Sequence, residues 1–222
     1  MTKKSSKMLI HRITNKIDRG NIILSKTLNI KKNQSLKNYY YQLQKMEYNF
    51  FKNFFINCDK NKFGQKQKEN QSIYMPRLNS KIHGYINWSW NGKEIYNFIR
   101  SFDFPFSGAK TFIERNEVVI SDVHLLKKKI NFHPFQSGII FRKEKNFYFI
   151  ACKDYVLKTN SIKTSEGKKI NNRLLGKRLY IPYPVLDNMM TSVSVQTPSK
   201  DIVKHLKINF GDIVKHLKIK FG

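Results

Sequence analysis

The sequence predicts an α+β chain: a β-hairpin and a long helix, a polar connection, then a shorter helix leading into a small OB-like β-barrel. Three observations predict it. Residues 8–30 hold two apolar runs around Asp18-Arg19-Gly20. Apolar residues follow helical spacing over 35–55 and again after Asn91. From residue 111 to 182, short runs rich in β-branched and aromatic residues alternate with polar turns.

The first run holds Leu9, Ile10 and Ile13, and the second Ile22, Ile23 and Leu24 followed by Leu28 and Ile30. Gly20 is available for the positive φ that a turn between them asks for. Ser35 is placed to cap the first helix. Leu36, Tyr40, Leu43, Phe50, Phe51 and Phe54 recur at its spacing and are expected in the core. Residues 59–80 are polar and aperiodic, so they read as a linker or surface loop. Asn91 and Glu94 fit a capping box, Ile95, Phe98, Ile99 and Phe102 line one helix face, and Pro105 and Gly108 end the helix. The strands read as "TFIER", "EVVISDVHLL", "SGIIF", "NFYFIAC", "YVLKTNSI" and "RLYIP". The chain therefore divides into 1–58, a linker at 59–80, a domain at 81–190 and a tail at 191–222. That tail holds "DIVKHLKINFG" followed by "DIVKHLKIKFG", a tandem duplication too short to be a solenoid.

Charge and composition narrow the function. Lys and Arg number 42 against 15 Asp and Glu, for a net charge of +27. A polyanionic partner is one reading. However, Lys far outnumbers Arg, and Asn, Ile, Phe and Tyr are abundant, a mix that an AT-rich coding sequence produces by itself. Phosphate forks and base edges favour Arg. No apolar run is long enough for a membrane span and no signal segment is visible, so a cytoplasmic location is expected. Cys58 and Cys152 are far apart, and neither a disulfide framework nor a metal site is expected.

One stretch looks catalytic at first sight. In "INFHPFQSGIIF", Asn131 and His133 stand in the order Asn-x-His-Pro. Such a pair can polarise a carbonyl and move a proton. Its setting points instead to a structural role, as a strand edge running into a turn or bulge at Gly138.

Other stretches carry a resemblance. "IHRITNKIDRGNIIL" is similar to a segment of folate-dependent formyltransferases in which a His is followed at this spacing by Asp-x-Gly and apolar residues. "YMPRL", "YINWSWNGKEIYNFIRSFDFPFSGAKTF" and "GKRLYIP" resemble, in the same order, the start and a later strand of that family's C-terminal domain. The resemblance covers about residues 8–185. It implies that 1–58 is the end of a Rossmann-like catalytic domain and 81–190 the OB-like C-terminal domain. It implies 10-formyltetrahydrofolate as formyl donor and a primary amine as acceptor, most closely a nucleotide-linked amino sugar. In the family an Asn and a His polarise the formyl carbonyl, and an Asp orients the His and relays a proton. That Asp falls on Asp18. His11, Asp18 and Gly20 are then expected at the folate site, and Arg77 and Arg100 at an acceptor phosphate. The family's Asn-x-His-Pro precedes its Asp, whereas Asn131 and His133 follow Asp18. The implied catalytic Asn and His are thus not among these residues, and a chain lacking the N-terminal part of the catalytic domain, inactive alone, is expected. Methionyl-tRNA formyltransferase, with tRNA as partner, is the second reading. The third is a non-enzymatic nucleic-acid-binding OB-like module stacking bases on Phe147, Tyr148 and Phe149.

Overall fold

The computed structural model describes residues 5–15, 18–31, 34–56, 64–68, 75–76, 78–170 and 174–192. Arg77, Cys58 and the duplicated tail lie outside them.

Strands β1 (Ser5–His11) and β2 (Ile22–Asn29) form an antiparallel pair. Helix α1 (Leu36–Ile56) follows, with Ser35 Oγ accepting the Asn38 N–H at 3.2 Å, the expected cap. Only part of the expected apolar face of α1 is core. Phe50 is buried, but Phe51 is 43% exposed, and Tyr41, Tyr48 and Phe55 on the same side are more exposed still. A helix this rich in aromatics carries more apolar surface than one neighbouring face covers. Spacing identifies a helix but does not show which of two apolar stripes is packed.

After α2 (Ser80–His83), helix α3 (Gly92–Ser101) begins as expected: the Asn91 N–H donates to Glu94 Oε2 at 3.0 Å. The Gly92 N–H donates to Asp154 Oδ1 at 2.7 Å, satisfying a second orphan donor of the first turn. The helix stops at Ser101, with Phe102 as C-cap, before Pro105 is reached. Ile95 and Ile99 are fully buried against the sheet.

The sheet has six antiparallel strands in the order β5-β6-β7-β4-β3-β8: β3 (Ala109–Ile113), β4 (Asn116–Leu125), β5 (Ile140–Glu144), β6 (Phe147–Ala151), β7 (Val156–Thr164) and β8 (Leu179–Tyr180). It curls until its two ends meet. The Gly138 N–H donates to Ala151 O, and Gly138 O accepts from the Leu179 N–H, both at 2.8 Å. Ile139 bridges to Arg178. The segment leading into β5 thus touches β6 on one side and β8 on the other. Inside lie Ile86, Trp88, Val118, Ile120, Ile140, Ile150, Leu157 and Leu179. The Trp88 indole N–H donates to Thr111 Oγ1, and that hydroxyl donates to Tyr180 O, each at 2.9 Å, so these two buried polar groups are paired. Helix α4 (Tyr183–Thr191) ends the described chain. Among the described residues no helix is long and apolar enough to cross a membrane.

The stretch after Asn131 departs from expectation. Residues Pro134–Gln136 form a 3-10 turn, not a strand edge. The His133 N–H donates to Gln136 Oε1 at 2.9 Å, and His133 Nδ1 accepts the Phe135 N–H at 3.2 Å. Pro134 at the first position favours a helical turn and cannot donate to a ladder. His133 is a cap, and the question raised by Asn-x-His-Pro is answered locally. Part of the region 59–80, expected as a linker or surface loop, lies against the hairpin. Gln65 exchanges two backbone hydrogen bonds of 2.8 Å with Ile22, so residues 64–68 lie beside the hairpin.

Candidate functional site

The connection between β1 and β2 brings His11 and Asp18 together. His11 Nε2 lies 3.6 Å from Asp18 Oδ1; the imidazole is 29% exposed and the carboxylate 86%. His11 Nδ1 is 3.0 Å from Arg12 O. A carbonyl only accepts, so this contact places a proton on Nδ1 and turns Nε2 toward the carboxylate. The arrangement leaves an exposed carboxylate that can accept a proton, beside an imidazole whose orientation is set by the backbone.

Asp18 itself takes the left-handed conformation, φ 54°. Asp tolerates it because its short side chain costs less there than a β-branched one. The positive φ expected at Gly20 therefore sits two residues earlier. Gly20 is needed for a different reason: a Cβ there would lie 1.7 Å from Arg12 O. The Arg12 N–H donates to Asn21 O at 3.0 Å, so the backbone crosses closely at the base of the loop. Three residues expected together, His11, Asp18 and Gly20, are together.

One contributor was missed from the sequence. Gln67 Nε2 donates to Asp18 O at 2.8 Å and to Gly20 O at 2.7 Å. It lies in a stretch with no periodicity, and a Gln between lysines carries no signal that sets it apart.

Arg100 sits elsewhere. Its Nη2 donates to Gln34 O at 2.6 Å, and its guanidinium lies 5.1 Å from the Tyr96 ring centre. It ties the segment before α1 to α3. Asp103 and Asp122 share its pocket. Burial pushes the Asp103 carboxyl up from its usual range; the Asp122 N–H pulls it down, the Asp122 charge pushes it up and Arg100 pulls it down. An acid whose folded pKa is raised costs stability when ionised. That cost is absent below the ordinary value of 3.8 and grows as pH rises through the raised value. Asp103→Asn keeps an acceptor for the Asp122 N–H and removes the buried charge. It is expected to raise the melting temperature near neutral pH, with the gain fading below pH 3.8. Paired melts at the two pH values check it; a variant that melts lower at neutral pH contradicts it.

The aromatic platform proposed for bases is not free. Tyr148 packs on the core, while Phe149 is 3% exposed, with the Arg142 guanidinium 4.0 Å and the Lys158 ammonium 5.9 Å from its ring centre. A base stacking on Phe149 would have to displace these cations. Among the described residues no group of three or more His, Cys, Asp or Glu could hold a metal ion. Cys152 is buried, and burial raises its thiol to about 12.

Comparison with known proteins gives this geometry a context. Residues 79–178 match the family described as formyl transferase, C-terminal domain. The bifunctional polymyxin resistance protein ArnA of Wigglesworthia glossinidia brevipalpis is 27% identical over 187 residues, covering 80% of this chain and 27% of the relative. The sugar 3N-formyl transferase WlaRD, solved with dTDP and 5-N-formyl-THF, superposes with a TM-score of 0.52 at 23% identity, over 78% of this chain and 57% of that one. The N-formyltransferase of Helicobacter canadensis, in complex with folinic acid and dTDP-3-aminofucose, gives 0.52 at 24% identity over 71% and 56%. HypX of Aquifex aeolicus, solved with tetrahydrofolic acid, gives 0.51 at 14% identity over 86% and 31%. At such identities the structural matches establish a shared fold. The chain spans about a quarter of the length of its curated relative and little more than half that of the two sugar enzymes.

Proposed function

We propose that this chain, whose residues 79–178 belong to the formyltransferase C-terminal domain family, contributes the proton-accepting carboxylate Asp18 to formyl transfer from a 10-formyltetrahydrofolate donor to a primary amine, most closely that of a nucleotide-linked amino sugar. The observation that carries the reading is the pairing of His11 with Asp18 at 3.6 Å on the hairpin, upstream of that domain in one chain. In this reading residues 1–58 are the end of a Rossmann-like catalytic domain and 81–190 an OB-like one. The exposed Asp18 carboxylate and the partly buried His11 imidazole place two polar groups at one edge of the hairpin, where the polar edge of a folate would lie. The donor, when bound, supplies an N-formyl group open to attack by an amine.

Asp18 takes the proton that the amine loses as its nitrogen bonds to the formyl carbon; the bond from that carbon to the donor nitrogen breaks in turn, and the tetrahydrofolate that leaves takes up a proton at that nitrogen. His11 lines the donor side of the site. Arg77 is assigned to an acceptor phosphate, while Arg100 fastens α3 to the segment before α1. Asn131 and His133 take no part, since His133 is committed to its turn. In this reading the groups that polarise the formyl oxygen are supplied from outside residues 1–222, and these residues alone are expected to transfer no formyl group. The folate ligands of the two solved relatives, with dTDP in one and dTDP-3-aminofucose in the other, support the donor and acceptor classes.

The charge of +27 favours one competing acceptor, tRNA. Salt separates the two. A nucleotide sugar neutralises few phosphates and its affinity should fall shallowly with salt. Binding of tRNA through many phosphates should fall steeply, with a log–log slope of about −0.7 or more per phosphate engaged. Titrating this chain with a dTDP-linked amino sugar and with methionyl-tRNA across a salt series tests the assignment. Tight, steeply salt-dependent binding of tRNA with none of the sugar nucleotide would replace the acceptor proposed here.

A further inference from the structure

The loop that carries Asp18 is fastened by a side chain from far along the chain. Gly64 makes the approach possible: its φ is 72°, and a Cβ on it would lie 2.7 Å from Ile22 O. Gln65 then pairs with Ile22 through two backbone hydrogen bonds. This brings Gln67 over the loop, 49 residues from Asp18 and 47 from Gly20 in sequence. Both partners of its Nε2 are carbonyl oxygens, so the amide orientation is fixed by chemistry: only the NH2 group can face them. Its two hydrogens are matched by two acceptors.

The consequence falls on Asp18. Gln67 fixes the peptide planes that follow Asp18 and Gly20. With those planes held, Asp18 stays at its positive φ and its carboxylate stays aimed at His11. A left-handed Asp is a conformation that an unheld loop leaves readily. The side chain itself is 86% exposed, so no wall of packed atoms keeps it in place. The hold is on the backbone, and Gln67 supplies it.

From this geometry we infer that Gln67 is the positioning residue for Asp18: it touches no reacting atom, and sets where the proton acceptor stands. The inference rests on the proposed role of Asp18 in formyl transfer. Glu at this position has the same length but no donor at neutral pH, and its charge opposes two carbonyl oxygens. Asn has the donors but is one methylene short.

The test uses Gln67→Glu and Gln67→Ala in the full chain, with two readouts. The first is amide hydrogen exchange at residues 18–21, with the exchange of β3–β7 as internal reference. Loss of two hydrogen bonds should speed loop exchange by about ten- to a hundredfold and leave the sheet unchanged. Unchanged loop exchange in both variants overturns the inference. The second readout is turnover in the assembly completed by a fragment carrying the upstream catalytic residues. Both variants should lower kcat by about tenfold or more at an unchanged KM for the amine, because binding is kept and alignment lost. Asp18→Asn, run alongside, separates the failures. If Asp18→Asn loses turnover but the Gln67 variants keep it, the positioning role is overturned and the role of Asp18 stands. If Asp18→Asn keeps turnover, the proposed function itself fails, and loop exchange still decides whether Gln67 fastens the loop.

Discussion

Gly138→Ala is expected to destabilise the C-terminal domain by about 2–5 kcal/mol, a large part of the roughly 5–15 kcal/mol that holds a domain folded. Two costs add. Gly138 has φ 85°, a conformation that costs an L side chain about 1–2 kcal/mol. A Cβ there would also lie 2.1 Å from the backbone oxygen of Leu179, and backbone cannot swing aside as a side chain does. Overpacking of that kind costs about 1–3 kcal/mol. Leu179 is the residue through which β8 bonds back to Gly138, so the clash opens the sheet where its two ends meet. Gly167→Ala supplies the control. Its φ is 84° and nothing lies within 4 Å of a Cβ there, so it should cost only the conformational share. Urea melts of the two variants measure the difference. If Gly138→Ala is no worse than Gly167→Ala, contact across the seam contributes nothing.

Asp18→Asn is expected to lower formyl transfer by about a hundredfold or more in a completed assembly. Asn keeps the size and polarity of the side chain and cannot take a proton. General-base help is typically worth about 10²–10⁴ in rate. Affinity for the amine should change little, because Asp18 is exposed and Asn keeps its size. The loss should therefore appear in kcat, and KM should stay near that of the parent.

Much of the fold was legible because periodic burial writes itself into sequence. The strand–turn–strand at 8–30, α1 with its Ser35 cap, α3 with Glu94 at its start and the strands of the curled sheet all carry a period of two or 3.6. What was not legible arises where backbone meets backbone. Closure of the sheet depends on Gly138 O and the Leu179 N–H, and the fastening of 64–68 on Ile22 N–H and C=O groups that every residue owns. The loop shows the same limit at finer grain. Asp-x-Gly announced a turn, but positive φ fell on Asp18, and the glycine serves a crossing with Arg12. Phe51 matched the helical period and still faces outward, since periodicity says nothing of how much partner surface exists. That His11 and Asp18 belong to one site was expected from resemblance, though not their pairing, whereas Gln67 gave no sign, because a hydrogen-bonding amide in a polar stretch looks like any solvated residue.

The central claim is that Asp18 is the proton acceptor of a formyl transfer whose carbonyl-polarising groups lie outside residues 1–222. It is tested most directly by following formylated product from 10-formyltetrahydrofolate and a dTDP-linked amino sugar. Three samples are compared: the chain alone, the chain with a fragment bearing an Asn-x-His-Pro segment of a related formyltransferase, and the same mixture with Asp18→Asn. No oxyanion donor means a loss of about a hundred- to a thousandfold or more for the lone chain. The account predicts product only in the second sample. Product from the chain alone, or undiminished product with Asp18→Asn, would contradict it.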